Sequence, residues 1–132
     1  MRLMENKFEG ACLCQRVTFQ VRLVNLKMHV CHCSMCRKSS GGTGFAYLYA
    51  QEAPEFRTQD TLATYNAVGK AERGFCNHCG TTIYYHNMLD KGYCISISVL
   101  EKLPENDILF NREWYYHDKP GYYAYANETQ KS

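Results

Sequence analysis

Cys31, Cys33 and Cys36 fall at the spacing C-x-C-x-x-C, followed directly by Arg37, Lys38 and the small, flexible run Ser39-Ser40-Gly41-Gly42. That spacing turns three sulfurs to one side of a tight turn, where they can converge on one ion. Zinc is the expected ion, because thiolates hold it at about 2.3 Å in a tetrahedron that wants four ligands. The stretch supplies three, which keeps a position for a substrate. A zinc held by three thiolates is electron-rich and a poor Lewis acid for splitting water. It suits capture of a further thiol as thiolate, kept nucleophilic by a lowered pKa. Arg37 and Lys38 stand where they could offset the added negative charge or meet a substrate carboxylate, Arg37 in bidentate geometry. Read blandly, they are two solvated charges after a turn.

A second set of thiols has a different form. Cys76-Asn77-His78-Cys79-Gly80 reads as a zinc knuckle, a turn whose backbone N–H groups point at the sulfurs. A redox C-x-x-C usually precedes a helix, whereas Thr82 to His86 here reads as strand, so the metal reading prevails. Cys12 and Cys14 lie two apart at the mouth of an extended segment and so point the same way. On their own they are as readily core packing. With Cys76 and Cys79 they are expected to close a four-cysteine zinc site pinning an early strand to a mid-chain hairpin. A structural zinc contributes on the order of 10–16 kcal/mol in small zinc peptides. Domains are stable by only about 5–15 kcal/mol, so losing this ion is expected to unfold the chain.

Cys94 stands alone. It is either a fourth ligand for the triplet or, by preference, a small residue filling one side of a sheet. Closure of the triplet by Cys94, or by His32, His78 or His86, would make the chain a non-catalytic zinc-binding interaction module. An oxidisable triplet that releases its zinc would make it a thiol or zinc redox sensor.

The elements that must position these thiols are mostly strands. Val17, Phe19, Val21 and Leu23 alternate with Thr18, Gln20 and Arg22, the period of a half-buried strand. Met28 to Val30 and Phe45 to Ala50 read as strands, with the glycine-rich Ser39 to Gly44 as a loop between them. Pro54 interrupts, and short strands follow at Glu55 to Thr58, Leu62 to Tyr65 and Ala71 to Phe75, with Asn66 and Gly69 as turn residues. Gly92 to Leu100 is the cleanest strand pattern. The aromatic tail from Ile108 to Tyr125 is expected to pack over the sheets, and Glu128 to Ser132 to fray. No stretch of ten or more residues holds a helical period. The fold class is mainly β with little helix.

With 132 residues, the chain is expected to form one domain over 1–132. Its formal charge of +2 and pI near 8.1 come from scattered basic residues, which argues against a nucleic-acid partner. The first ten residues hold no apolar core of signal-peptide length, and nothing approaches the roughly 18 apolar residues of a membrane span. A cytoplasmic, membrane-free protein is expected. Seven of the eight cysteines are clustered, which in a reducing compartment points to metal rather than disulfides. Nothing suggests a nucleotide or flavin.

Three motifs taken together resemble the glutathione-dependent formaldehyde-activating enzyme family, whose domain also occurs in centromere protein V. They are Gly10-Ala11-Cys12-Leu13-Cys14, Cys31 to Gly41, and Phe75-Cys76-Asn77-His78-Cys79-Gly80-Thr81, in the family's order, and the likeness spans about residues 7–123. The resemblance implies two antiparallel sheets meeting like the sides of a tent. It also implies two zinc ions per chain, one structural at Cys12, Cys14, Cys76 and Cys79 and one catalytic at Cys31, Cys33 and Cys36. The activity implied is that of a carbon–sulfur lyase of the S-(hydroxymethyl)glutathione synthase type. Its substrate would be an adduct of glutathione, or a similar thiol, with formaldehyde or another small carbonyl. Two departures stand out: the residue after the first cysteine pair, commonly glycine in the family, is Gln15 here, and the chain lacks the extra segments of longer members.

Overall fold

The computed structural model describes residues 6–66 and 69–132; residues 1–5, half of the stretch read for a leader, lie outside the described residues. In chain order the elements are β1 (Lys7–Ala11), β2 (Thr18–Arg22), β3 (Lys27–Cys31), the short helix α1 (Ser34–Ser39), β4 (Phe45–Ala50), β5 (Glu55–Thr58), β6 (Leu62–Asn66), β7 (Ala71–Cys76), β8 (Thr82–Asn87), β9 (Tyr93–Ser96), β10 (Leu109–Trp114) and β11 (Gln130–Lys131). The expected mainly β architecture of two sheets is what forms. A small sheet has the order β1-β2-β5, and a large one has the order β11-β10-β3-β4-β9-β8-β7-β6. No helix among the described residues is long and apolar enough to cross a membrane.

The core lies between the two sheets. Val17, Phe19, Val21 and Leu23 are all buried, as their alternation predicts, and pack with Leu48, Ala50, Ile83 and Ile95 of the large sheet. Apart from Ala50, each such side chain contributes roughly 1.5–3 kcal/mol on burial. Strand alternation then decides what the other face of the large sheet presents. Ala46, Leu48 and Ala50 of β4 face inward, so Phe45, Tyr47 and Tyr49 face outward. On β3, Met28 and Val30 face one way and His29 and Cys31 the other. Phe45, Tyr47, Tyr49, His29, Cys31 and Cys94 all line one cavity on that outer face.

Pairing is antiparallel except at β10, which runs parallel to both β3 and β11. Parallel neighbours need a crossover, and the connection 97–108 provides it, carrying the chain from β9 past β4 and β3. For the same reason the strand expected over Gly92 to Leu100 ends at Ser96. A 3₁₀ turn at Ile97–Val99 lifts the chain out of the sheet, buries Val99 and Leu100, and sets Leu100 against Gly10 of the small sheet. The end of the chain does not fray. Gln130–Lys131 pairs with β10, and Ser132 both donates to Glu113 O and accepts from Tyr116 N at 2.9 Å.

Gly10, part of the first cysteine motif, is a point of close approach between strands. A Cβ there would lie 2.2 Å from Cζ of Phe19, its cross-strand partner, whose ring is 1% exposed and has nowhere to go. Gly10→Ala should therefore lower stability by about 1–3 kcal/mol. Urea denaturation of the metal-loaded protein measures this; an unchanged midpoint would show that the ring can move.

Candidate metal centres and the adjoining cavity

Cys12, Cys14, Cys76 and Cys79 come together with all four sulfurs within 4.8 Å of one another. Cys14 Sγ lies 3.6 Å from Cys12 Sγ and 3.7 Å from Cys76 Sγ. A tetrahedron built on 2.3 Å bonds has edges of about 3.8 Å, so the spacing fits zinc without rearrangement. Local turns aim donors at the sulfurs. The N–H groups of His78 and Cys79 reach Cys76 Sγ at 3.4 Å, Val17 N–H reaches Cys12 Sγ at 3.3 Å, and Thr61 Oγ1 lies 3.2 Å from Cys76 Sγ. The Thr81 hydroxyl is the first cause that pushes Cys79 down to about 5. Burial is the first cause that pushes Cys14 up to about 12. Thiolate character thus resides on the knuckle. Gln15 adopts φ 66°, the left-handed region that favours glycine.

Cys31, Cys33 and Cys36 form the second group, again with sulfurs within 4.8 Å of one another. They are held less by a turn than by the start of α1, a helix where the sequence suggested only a bend. Cys31 ends β3, Cys33 is the N-cap, and its sulfur accepts the Cys36 N–H at 3.3 Å. A thiolate is favoured at such a cap, where helix N–H groups converge. Hydrogen bonds from the Cys31 and Cys36 thiols, and then from the Cys36 and Met35 N–H groups, hold Cys33 down at about 2. Cys31 is raised in turn, first by sharing its hydrogen with Cys33 and Cys36.

The cation at these sulfurs is one the spacing did not reveal. Arg73 of β7, 7% exposed, places Nη2 3.5 Å from Cys36 Sγ and Nη1 3.2 Å from Ser39 Oγ. It also lies 4.9 Å over the Tyr85 ring. Arg37 instead turns back, its Nε donating to His32 O at 2.9 Å and its Nη2 reaching Asp118 O at 3.5 Å. Lys38 is exposed, and neither residue lines the cavity. The reason is helical phase: Cys36 occupies the buried side of α1, so its two successors are rotated away from the sulfurs.

Nor do the candidate fourth ligands close the triplet. Among the described residues the cluster holds no fourth Cys, His, Asp or Glu. Cys94 lines the cavity outside the cluster, with burial the first cause pushing it up to about 12. His78 is exposed on the knuckle, and His86 stacks on Tyr93 at 3.9 Å with Nδ1 against Gly92 O.

His32, between two of the three cysteines, has both ring nitrogens occupied. It is fully buried, with Nε2 2.7 Å from Glu113 Oε1 and Nδ1 2.6 Å from the Tyr123 hydroxyl. The carboxylate can only accept, so Nε2 carries the hydrogen. Glu113 is itself 1% exposed, and its Oε2 accepts from Thr129 Oγ1 at 2.6 Å, with Lys131 Nζ at 3.8 Å. A chain of hydrogen bonds thus runs from Lys131 through Thr129 and Glu113 to His32, inside the triplet.

The cavity beside the triplet measures about 700 Å³. Its walls are chiefly aromatic (Phe45, Tyr47, Tyr49, Tyr85 and Trp114), with Arg73 at the sulfur end and Asp90 and Asp118 also among the lining residues. Such a space takes an organic molecule rather than water alone.

The motifs and this architecture define a known class. A model of the family "glutathione-dependent formaldehyde-activating enzyme" matches residues 7–118, and the chain belongs to that family. It is 32% identical over 123 residues to an uncharacterised lyase of Schizosaccharomyces pombe, covering 93% of this chain and 88% of that one. It is 30% identical over 90 residues to a Halomonas elongata protein provisionally named a glutathione-dependent formaldehyde-activating enzyme; that match covers 58% of this chain and 54% of the other. The crystal structure of a Rhodobacter sphaeroides protein shares the fold with a TM-score of 0.63 at 21% identity, covering 77% of this chain and 98% of that one.

Thr129 lies past the matched residues yet holds Glu113. Thr129→Val should leave Oε2 of a buried carboxylate facing a methyl group and cost about 1–3 kcal/mol. Chemical denaturation at fixed metal content measures this, and an unchanged midpoint would mean that Lys131 or water replaces the hydroxyl.

Proposed function

We propose that the chain is a zinc-dependent carbon–sulfur lyase that makes or breaks the bond between a thiol and a small carbonyl. Glutathione is the thiol and formaldehyde the simplest carbonyl. The observation that carries this reading is the three-sulfur cluster facing an aromatic cavity, with no fourth protein ligand among the described residues. Family membership supports it, as do the names of the two relatives, one a lyase and one a formaldehyde-activating enzyme. In this reading the whole chain is one unit of that family. Its eight free cysteines suit a reducing compartment such as the cytoplasm.

Cys12, Cys14, Cys76 and Cys79 hold a structural zinc, and Cys31, Cys33 and Cys36 hold a catalytic one. When bound there, the second ion supplies a site where a substrate thiol loses its proton and stays nucleophilic. The protein's part is to orient and to balance charge. Arg73 offsets the negative charge that thiolates concentrate in a half-buried place, a cost that grows as the dielectric falls. The cap N–H groups of α1 share that task at Cys33. The aromatic walls shape the space around the carbon–sulfur bond and leave room for a body larger than formaldehyde.

Metal analysis with and without glutathione, together with absorption of a cobalt-loaded sample, tests the reading. Two metals per chain are expected, with a spectrum that shifts when the thiol is added. Cys33→Ala should lose one metal and all detectable activity while remaining folded. Cys76→Ala should lose the fold, since a structural zinc contributes on the order of 10 kcal/mol. A two-metal spectrum indifferent to thiol would favour a closed interaction module, and activity surviving in Cys33→Ala would overturn the assignment of the catalytic site.

A further inference from the structure

We propose that His29 is a catalytic residue, its Nε2–H donating a hydrogen bond to the substrate oxygen as the carbon–sulfur bond breaks or forms. This rests on the lyase reading above. His29 and Cys31 are two apart on β3, so they share a face about 6.6 Å apart along the strand, and both line the cavity. That span suits the sulfur–carbon–oxygen unit of an adduct whose sulfur lies at the cysteine cluster.

The ring is locked in one tautomer. Trp114 Nε1 lies 3.0 Å from His29 Nδ1, and an indole N–H can only donate. Nδ1 must therefore accept, which leaves the ring hydrogen on Nε2. Nε2 has no protein partner among the described residues, and no buried side-chain polar atom is left unpaired, so this N–H is accessible on a ring that lines the cavity. Trp114 is held in turn, paired across from Cys31 and covered by the Arg112 guanidinium at 4.8 Å.

In the cleavage direction the adduct's hydroxyl gives its proton to water, the carbon–sulfur electron pair leaves with sulfur as thiolate, and the carbon–oxygen bond becomes double. Synthesis is the reverse: the thiolate attacks the carbonyl carbon, the π pair moves to oxygen, and water returns a proton. In both directions negative charge on oxygen peaks between the two states. A neutral, fixed N–H stabilises it there without being consumed.

The experiment uses the zinc-loaded protein with S-(hydroxymethyl)glutathione, and the nitrogen-15 spectrum of the histidine rings as a readout independent of turnover. The wild type should show His29 wholly as the Nε2–H tautomer, and Trp114→Phe a mixture. His29→Phe should lower kcat by about 10²–10³-fold, the usual effect of losing one such donor, with KM and metal content unchanged. His29→Gln, which restores an N–H, should recover at least about tenfold of that. A hydrogen on Nδ1 in the wild type, or a His29→Phe kcat within about threefold of wild type, would overturn the proposal. A wild type that holds two metals but does not cleave the adduct overturns the lyase reading itself, a failure visible before any variant is made.

Discussion

The rest of the molecule depends on the convergence of four sulfurs from two distant parts of the chain. Cys12 and Cys14 follow the first strand of the small sheet, whereas Cys76 and Cys79 end a strand of the large one. The core lies between those sheets, so the sulfur cluster joins the two walls it needs. Without an ion the four thiols are a liability: they crowd within 4.8 Å, and only some can hold thiolate charge at once. With zinc bound the same crowding becomes a fixed tetrahedron, and metal affinity turns into folding free energy. The ion would then add to the apolar core that already joins the three-stranded sheet to one face of the larger one.

Because the core occupies one face of the large sheet, chemistry is left to the other. Strand alternation sends Leu48, Ala50 and Ile95 inward and Tyr47, Tyr49 and Cys94 outward. Two charges are nonetheless buried, Arg73 on the outer face and Glu113 on the opposite face, where it pairs across from Val30, and each has a partner. Arg73 meets Cys36 and Ser39, and Glu113 meets His32, Thr129 and Lys131. Breaking one member of a buried pair costs more than the pair contributes, because the other is stranded. The pairs therefore act less as stabilisers than as constraints on where Cys36 and the Cys31–Cys33 backbone can lie. The terminal strand belongs to this system although it lies past the family-matched residues.

Much of this was legible in the sequence, for a definite reason. Ligand spacing and strand alternation are short-range patterns, and both sulfur groups and the core face of β2 follow from them directly. The errors came where tertiary contacts outvote local pattern. Ile97 to Val99 has strand character, yet Val99 and Leu100 are needed in the core, and the chain turns to bring them there. Gln130 and Lys131 look like a fraying end, but Glu113 is buried and needs the donors they flank. Arg37 and Lys38 stand beside the cluster in sequence, whereas rotation about α1 carries them away. Arg73 reaches Cys36 from 37 residues off, on a strand whose pairing no local signal announces. His29 is the one omission that a simple rule covers, since residues two apart on a strand share a face.

The two sulfur groups use the same ligand but differ in how many chain segments supply it, and in the proposed reading that difference separates scaffold from site. In the four-cysteine group two segments give two sulfurs each and approach from opposite sides, so a bound ion is enclosed. In the triplet one segment gives all three, because the end of β3 and the start of α1 bend round a single point. The three sulfurs can therefore occupy only one side of an ion, and the opposite side faces the cavity. Closing it would require a ligand from the outer sheet face, where the nearest candidate by position is Cys94. That residue lies on the cavity wall outside the cluster. In the proposed reading an open coordination position thus follows from chain topology: one segment supplies three sulfurs, and the facing wall offers aromatic rings in place of a fourth thiol.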